Sequence, residues 1–251
     1  GGGDLELAKG GKRLFKNLVL RQVTHLGFTL AEVLITLGII GVVAALTLPA
    51  LIQNYQKKVT AISVKKAYSE LNQIIEMAKA DYGDSSSWDY SEADKLSLWV
   101  QTYIEPYINV IEHTDSCKGY PCLGLTTTYH LKSKTPLSTG QYVLTKTGNS
   151  FAYAFYRYDT SLTRVRVYIR NPHGRYAYVG KDVFTFIFDT RENNPKFRTH
   201  TPNKYDRSSI LGTGWGGCNP NASGGGYMVP GDACAALIMI DGWEIKNDYP
   251  W

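Results

Sequence analysis

Residues 33–52 read VLITLGIIGVVAALTLPALI, twenty positions without a charge. At about 1.5 Å rise per residue such a run is about 30 Å long, the thickness of the hydrocarbon core of a bilayer. A helix of this kind must find an apolar environment, and it constrains the chain more than any other segment. It is too long for the apolar region of an ordinary signal peptide, about 7–15 residues, and no A-x-A-like site closes it. Lys9, Lys12, Arg13, Lys16 and Arg21 precede it, so the positive-inside rule puts residues 1–27 in the cytoplasm. Lys57, Lys58, Lys65 and Lys66 on the far side weaken that asymmetry.

Glu32 stands at the cytoplasmic lip of the run. A carboxylate near hydrocarbon calls for a partner or a task, unless it snorkels into the headgroup layer. Pro49 removes a backbone donor and crowds the preceding turn, which bends or loosens a helix, although membrane helices also tolerate proline.

The string Gly27-Phe28-Thr29-Leu30-Ala31-Glu32-Val33-Leu34-Ile35 resembles the processing site of type IV prepilins and type II secretion pseudopilins. The resemblance is close over about 25 residues and extends to the rest only in architecture. It implies a basic leader that ends at Gly27 and a membrane aspartyl peptidase that cuts between Gly27 and Phe28. Phe28 would then be N-methylated. Glu32 is the fifth residue beyond the cut, where the family has its glutamate, and Pro49 is the twenty-second, where many members have a helix-bending proline. Gly38 and Gly41 fall in the segment that loosens when such subunits pack. A free amine at Phe28 and a carboxylate at Glu32 attract more strongly as the dielectric falls. In the family this pairing between neighbours sets the register of assembly.

Residues 53–82 place Tyr55, Val59, Ile62, Tyr68, Leu71, Ile75, Ala78 and Tyr82 at helical spacing. This predicts an amphipathic continuation of the apolar helix. Asp81-Tyr82-Gly83-Asp84-Ser85-Ser86-Ser87 ends it. Residues 91–104 predict a shorter helix opened by Ser91, and 105–140 read as a long connecting loop. Strand patterns follow at Gln141–Lys146, Ser150–Tyr158, Thr163–Arg170 and Val183–Asp189, with a hairpin signal at Gly148-Asn149. The expectation is an antiparallel sheet with one face covered by the amphipathic helix. Residues 190–251 are loop-rich. The run Gly212–Gly217 lacks the Lys-Ser/Thr of a phosphate loop and reads as a flexible loop. Ala235–Ile240 reads as a last strand or a core-covering piece.

The expected fold class is therefore α+β. A long N-terminal membrane-spanning helix continues as an amphipathic stalk on a small antiparallel sheet, followed by a loop-rich, disulfide-pinned C-terminal region. The resemblance makes this layout pilin-like. The divisions are a leader at 1–27, a transmembrane and assembly helix at 28–52, a stalk at 53–83 and an extracytoplasmic αβ domain at 84–251.

Cys117 and Cys122 enclose four residues, and Cys218 and Cys234 enclose fifteen. Local pairing gives 117–122 and 218–234, among three possible connectivities. An oxidising compartment makes disulfides plausible, and the resemblance favours 218–234 as the pin of a C-terminal loop. Zinc spacing is absent. Some pseudopilins hold calcium after the sheet. Asn193, Asn194, Asp206, Asp232 and Asp241 offer oxygens here, without EF-hand order, so a structural calcium stays unassigned and no cofactor is expected.

Residues 1–27 carry five basic and two acidic residues, and residues 28–251 carry 22 and 20, so the body's net charge is only +2. That is poor support for nucleic-acid binding. Neither H-E-x-x-H nor G-x-S-x-G occurs, and His25, His113, His130, His173 and His200 form no recognisable sequence constellation. The expectation is a structural subunit, not an enzyme. Its implied partners are a prepilin peptidase, other pilin or pseudopilin subunits, an inner-membrane assembly platform and membrane lipids. Its implied place is the cytoplasmic membrane, single-pass with the N-terminus inside, and then an extracytoplasmic or cell-surface fibre. The rival is an uncleaved, membrane-tethered envelope binding protein or adhesin, whose eighteen tyrosines and five tryptophans would allow sugar stacking.

Overall fold

The computed structural model describes residues 27–90, 95–118, 122, 124–125, 127–132, 135–137, 141–149, 151–159, 161–170, 176–192, 194–201, 206–225 and 228–251. The leader therefore lies outside the described residues except for Gly27, as do Ser91, His25, His173 and Asn193. The chain separates into two compact units, Gly1–Ala50 and Leu51–Trp251.

The first unit contains the apolar run. Helix α1 spans Leu30–Tyr82 and passes through Pro49 without a break. One window of it is long and apolar enough to cross a membrane. Within Leu30–Ala50 the large apolar side chains are exposed. The two hydroxyls of the run are satisfied by the helix itself: Thr36 Oγ1 donates to the Val33 carbonyl at 3.0 Å and Thr47 Oγ1 to Val43 at 2.9 Å. Such internal pairing is what a lipid environment demands of a polar group.

The second unit is α+β. The C-terminal part of α1 buries Thr60, Ala61, Val64, Ala67, Leu71, Ile74, Ile75 and Ala78. Of the expected stripe, Leu71, Ile75 and Ala78 are buried and Tyr68 packs against the core, whereas Tyr55, Ile62 and Tyr82 are exposed and Val59 is at 37%. Val64, Ile74 and the small Ala61 and Ala67 complete the buried face. Gly83, at φ +79°, closes the helix, and its N–H donates to the Lys79 carbonyl at 2.9 Å. Asp84 caps a short 3₁₀ turn at Ser85–Ser87, and Trp88 stacks on Tyr103 at 4.2 Å between ring centroids. Helix α2, Leu96–Tyr103, buries Leu96, Trp99 and Val100.

Eight strands follow: β1 (Val110–Lys118), β2 (Thr127–Tyr129), β3 (Gln141–Thr147), β4 (Ala152–Asp159), β5 (Leu162–Tyr168), β6 (Tyr176–Tyr178), β7 (Val183–Asp189) and β8 (Phe197–Thr199). Six of them form one antiparallel sheet in the order β1-β3-β4-β5-β7-β8. Strands β2 and β6 pair in parallel as a separate ribbon. The four expected strands form within two residues of their predicted bounds.

Segment 105–140 is not a plain loop, because it contains β1 and β2. Strand β1, VIEHTDSCK, lies at the sheet edge with most side chains accessible, so it needs no alternating apolar face. Register irregularities after Val110 and Thr114 and its charged side chains blunt that edge.

Both faces of the sheet are covered. On one face Val165, Val167, Phe184, Phe186 and Phe188 join the buried side of α1. On the other, Tyr142, Leu144, Ala154, Tyr156 and Tyr168 are covered by Leu125, Leu137, Ala177, Val179 and Val229. Arg166, which alternates with Val165 and Val167 along β5, is 3% exposed. Its guanidinium donates to the Tyr142 hydroxyl at 2.9 Å and lies 4.8 Å from the Tyr156 ring centre. Helix α3 is Arg207–Leu211 and α4 is Cys234–Ile240. Ala235–Ile240 is therefore a core-covering helix and not a strand; a short run with no polar position carries no period to tell the two apart.

Candidate functional site

Gly27, Phe28 and Thr29 precede α1 in non-helical conformation. A Cβ on Gly27 would meet nothing within 4 Å, and Phe28 is 85% exposed. Among the described residues no packing contact requires glycine at that position. Thr29 and Glu32 form a reciprocal cap: the Glu32 carboxylate accepts from the Thr29 N–H and hydroxyl, both at 2.8 Å, and the Glu32 N–H donates back to Thr29 Oγ1 at 3.2 Å. This is the T-x-x-E capping box, which satisfies donors that the first helical turn leaves open. It is a local task for Glu32 legible in the spacing of Thr29 and Glu32, and the sequence reading passed over it. Gly38 and Gly41 sit mid-helix, where an added Cβ would again meet nothing within 4 Å.

The disulfides form as Cys117–Cys122 and Cys218–Cys234. Cys117 ends β1. Cys218 follows the glycine run, and Cys234 opens α4. That run is a packed knot. The Gly216 N–H donates to Ser223 O at 2.9 Å, Gly231 N–H to Gly217 O at 2.8 Å, and Ala233 N–H to Gly216 O at 2.8 Å. Gly216 adopts φ +71°, and a Cβ there would lie 2.7 Å from His200 Nε2. Beneath it Asp232, 1% exposed, accepts from Thr185 Oγ1 at 2.7 Å and from the Val229 N–H at 2.9 Å. Burial holds the pKa of His200 down, so the ring stays neutral. The Arg207 guanidinium forks onto Asp241 and Asp248 at 2.7–3.0 Å, which ties α3 to the C-terminal tail.

The oxygens named for calcium do not converge. Asn194 accepts from Lys79, Asp206 caps α3, Asp232 faces Thr185, and Asp241 is held by Arg207 and Lys246. Among the described residues no group of three or more His, Cys, Asp or Glu is placed to hold a metal.

One constellation was not foreseen. His113 Nδ1 is 2.6 Å from Glu105 Oε1, and its Nε2 is 2.8 Å from Asp115 Oδ1 and 3.0 Å from Ser97 Oγ. Thr145 Oγ1 fixes Glu105 at 2.6 Å. A Ser–His–Glu order invites comparison with a nucleophile relay. The second carboxylate argues against it. Ser97 hydrogen-bonds Asp115, and both ring nitrogens of His113 face carboxylates. Burial pulls the His113 pKa down, but the hydrogen bonds and charges of Glu105 and Asp115 outweigh it and raise it. The ring joins β1 to α2 and to the turn after it, and the two carboxylates favour its charged form. Sequence spacing could not reveal it, because its members come from α2, the turn after it, β1 and β3.

A model of a family of unknown function, DUF6613, matches residues 50–251 of the chain. No curated protein and no solved structure matches it.

Proposed function

We propose that this chain, which belongs to that DUF6613 family of unknown function, is a pilin-like structural subunit. It is made as a prepilin, cleaved by a prepilin peptidase between Gly27 and Phe28, and methylated at Phe28. The N-terminal part of α1 then carries it from the cytoplasmic membrane into a type IV pilus or type II secretion pseudopilus.

The observation that carries this reading is a set of helix features with no packing partner among the described residues of one copy. Gly38 and Gly41 each weaken a helix by about 1 kcal/mol relative to alanine, yet neither accommodates an intrachain neighbour. Tyr55, Val59 and Ile62 form an accessible apolar stripe beyond the twenty-odd residues that a plain anchor needs. Packing of α1 against other copies would use both. The capping box also fits the processing step, since it holds the Glu32 carboxylate beside the residue that cleavage turns into an N-terminus. In a fibre the amine of a neighbouring Phe28 would compete for that carboxylate and fix the axial register.

A second reading, an uncleaved membrane-tethered envelope binding protein or adhesin, draws on the outward-facing tyrosines of the β2/β6 ribbon. The two readings part at the N-terminus. In cells with a prepilin peptidase, the mass of the membrane-extracted protein should begin at N-methylated Phe28. An intact leader despite active peptidase would overturn the subunit reading and leave the tethered one.

A further inference from the structure

The β2/β6 ribbon has two faces with different chemistry. Register pairs Thr128 with Ala177 and Tyr129 with Tyr178. Thr128 and Ala177 are buried against the main sheet, and Thr128 Oγ1 lies 3.3 Å from the Tyr168 hydroxyl. The opposite face presents Tyr129, Tyr176 and Tyr178, with the Tyr129 ring centre 5.5 Å from that of Tyr176 and 5.4 Å from that of Tyr178. Tyr176 is 49% exposed. Core packing explains the inner pair and leaves the row of three rings unexplained.

Tyr178 also lines a cavity of about 170 Å³ with Leu131, Lys132, Lys181, Pro250 and Trp251. This is smaller than the pockets of about 300–1,000 Å³ that enclose whole drug-sized ligands, so it suits a single ring of a longer molecule. Lys181 Nζ stands 5.1 Å from the Trp251 ring centre. Lys132 is accessible and adopts φ +48°, a conformation that non-glycine residues rarely hold and that gathers at ligand clamps. Lys181 also interacts electrostatically with Asp182 next to it in the chain. The nearest carboxylate in sequence, Asp182, faces Arg170 at 3.6 Å and accepts from the Tyr178 N–H at 3.1 Å.

We propose that the tyrosine row and the Lys132–Lys181–Trp251 cavity together bind an acidic polysaccharide of the uronic-acid class. Aromatic faces stack on the apolar faces of successive sugar rings, and the paired ammonium groups take a carboxylate at the cavity. The near-neutral body disfavours a polyphosphate partner, which needs a broad basic track. This inference does not rest on the assembly reading, because it concerns the second unit alone.

The test uses the full chain in detergent micelles at low salt, titrated calorimetrically with oligogalacturonate, neutral dextran oligosaccharide and oligothymidylate. Oligogalacturonate should bind and the other two should not. Loss of a charge-assisted contact in Lys181→Glu should weaken binding by about tenfold or more. Tyr176→Ala and Lys132→Gly should weaken it without unfolding the protein, since the first side chain is accessible and the second substitution relieves the positive φ. No oligogalacturonate binding, equal binding of dextran, preferential binding of oligothymidylate, or undiminished binding by Lys181→Glu would overturn the proposal.

Discussion

Glu32 and Thr29 hold each other at the start of α1, with two hydrogen bonds of 2.8 Å onto the carboxylate and one of 3.2 Å returned to the threonine hydroxyl. The pair lets the capping task of Glu32 be tested apart from its proposed register role. Thr29→Ala removes the hydroxyl from the cap and should weaken the first turn by about 1 kcal/mol, leaving cleavage and fibre incorporation near normal. Glu32→Ala removes the charge, and the expected outcome is normal cleavage with lost incorporation. Counting the mature and the fibre-associated protein for both variants checks this, and full incorporation of Glu32→Ala would sink the register role.

Gly38 and Gly41 lend themselves to the opposite kind of experiment. Alanine fits either position in a single copy, with no neighbour within 4 Å. It should strengthen the isolated helix by about 1 kcal/mol. If close packing or loosening of α1 in a fibre needs these glycines, the double variant will be more helical in micelles by circular dichroism yet assemble poorly. Normal fibres from it would remove the glycines from the argument.

The two disulfides should contribute unequally. Cys218–Cys234 closes a loop with a sequence separation of 16 and ties the glycine knot to buried α4, whereas Cys117–Cys122 spans 5 at the end of an edge strand. In the chain-entropy picture the longer loop is worth roughly 3 kcal/mol and the shorter one less. Urea unfolding of Cys218→Ala/Cys234→Ala should show a loss clearly larger than that of Cys117→Ala/Cys122→Ala.

His113 makes part of the stability depend on pH. Its folded pKa lies above the ordinary 6.5 because Glu105 and Asp115 hold its proton. The stabilisation is therefore full below the unfolded value and disappears as pH rises through the folded one. Denaturation midpoints should fall over that window, and His113→Gln should flatten the fall. An identical profile for wild type and variant would remove His113 as the source.

The sequence patterns that survived folding were those in which local chemistry and tertiary demand agree. Val165 and Val167 alternate with Arg164 and Arg166, and Gly148-Asn149 turns the chain between β3 and β4. There Asn149 donates to both Glu70 oxygens at 3.0 Å, a contact across 79 positions that no local pattern contains. The stripe on α1 is buried at Leu71, Ile75 and Ala78 but exposed at Tyr55 and Ile62, because local spacing does not record how far along the helix the body extends. Strand β1 lacks a signal because an edge needs no apolar alternation, and the core-covering role of 235–240 was legible while its helical form was not, because a wholly apolar heptapeptide has no period.

The sequence by itself determined that residues 33–52 require an apolar environment and that β3, β4, β5 and β7 are strands. These are properties of length, charge and local periodicity, which the chain holds before it folds. Only the tertiary structure decided that Arg166 is buried against Tyr156, that His113 lies between two carboxylates, and that Tyr129, Tyr176 and Tyr178 share an outer face. Each depends on which distant segment covers which side of the sheet. That choice is made by packing and by the pairing of buried polar groups, and no local spacing records it.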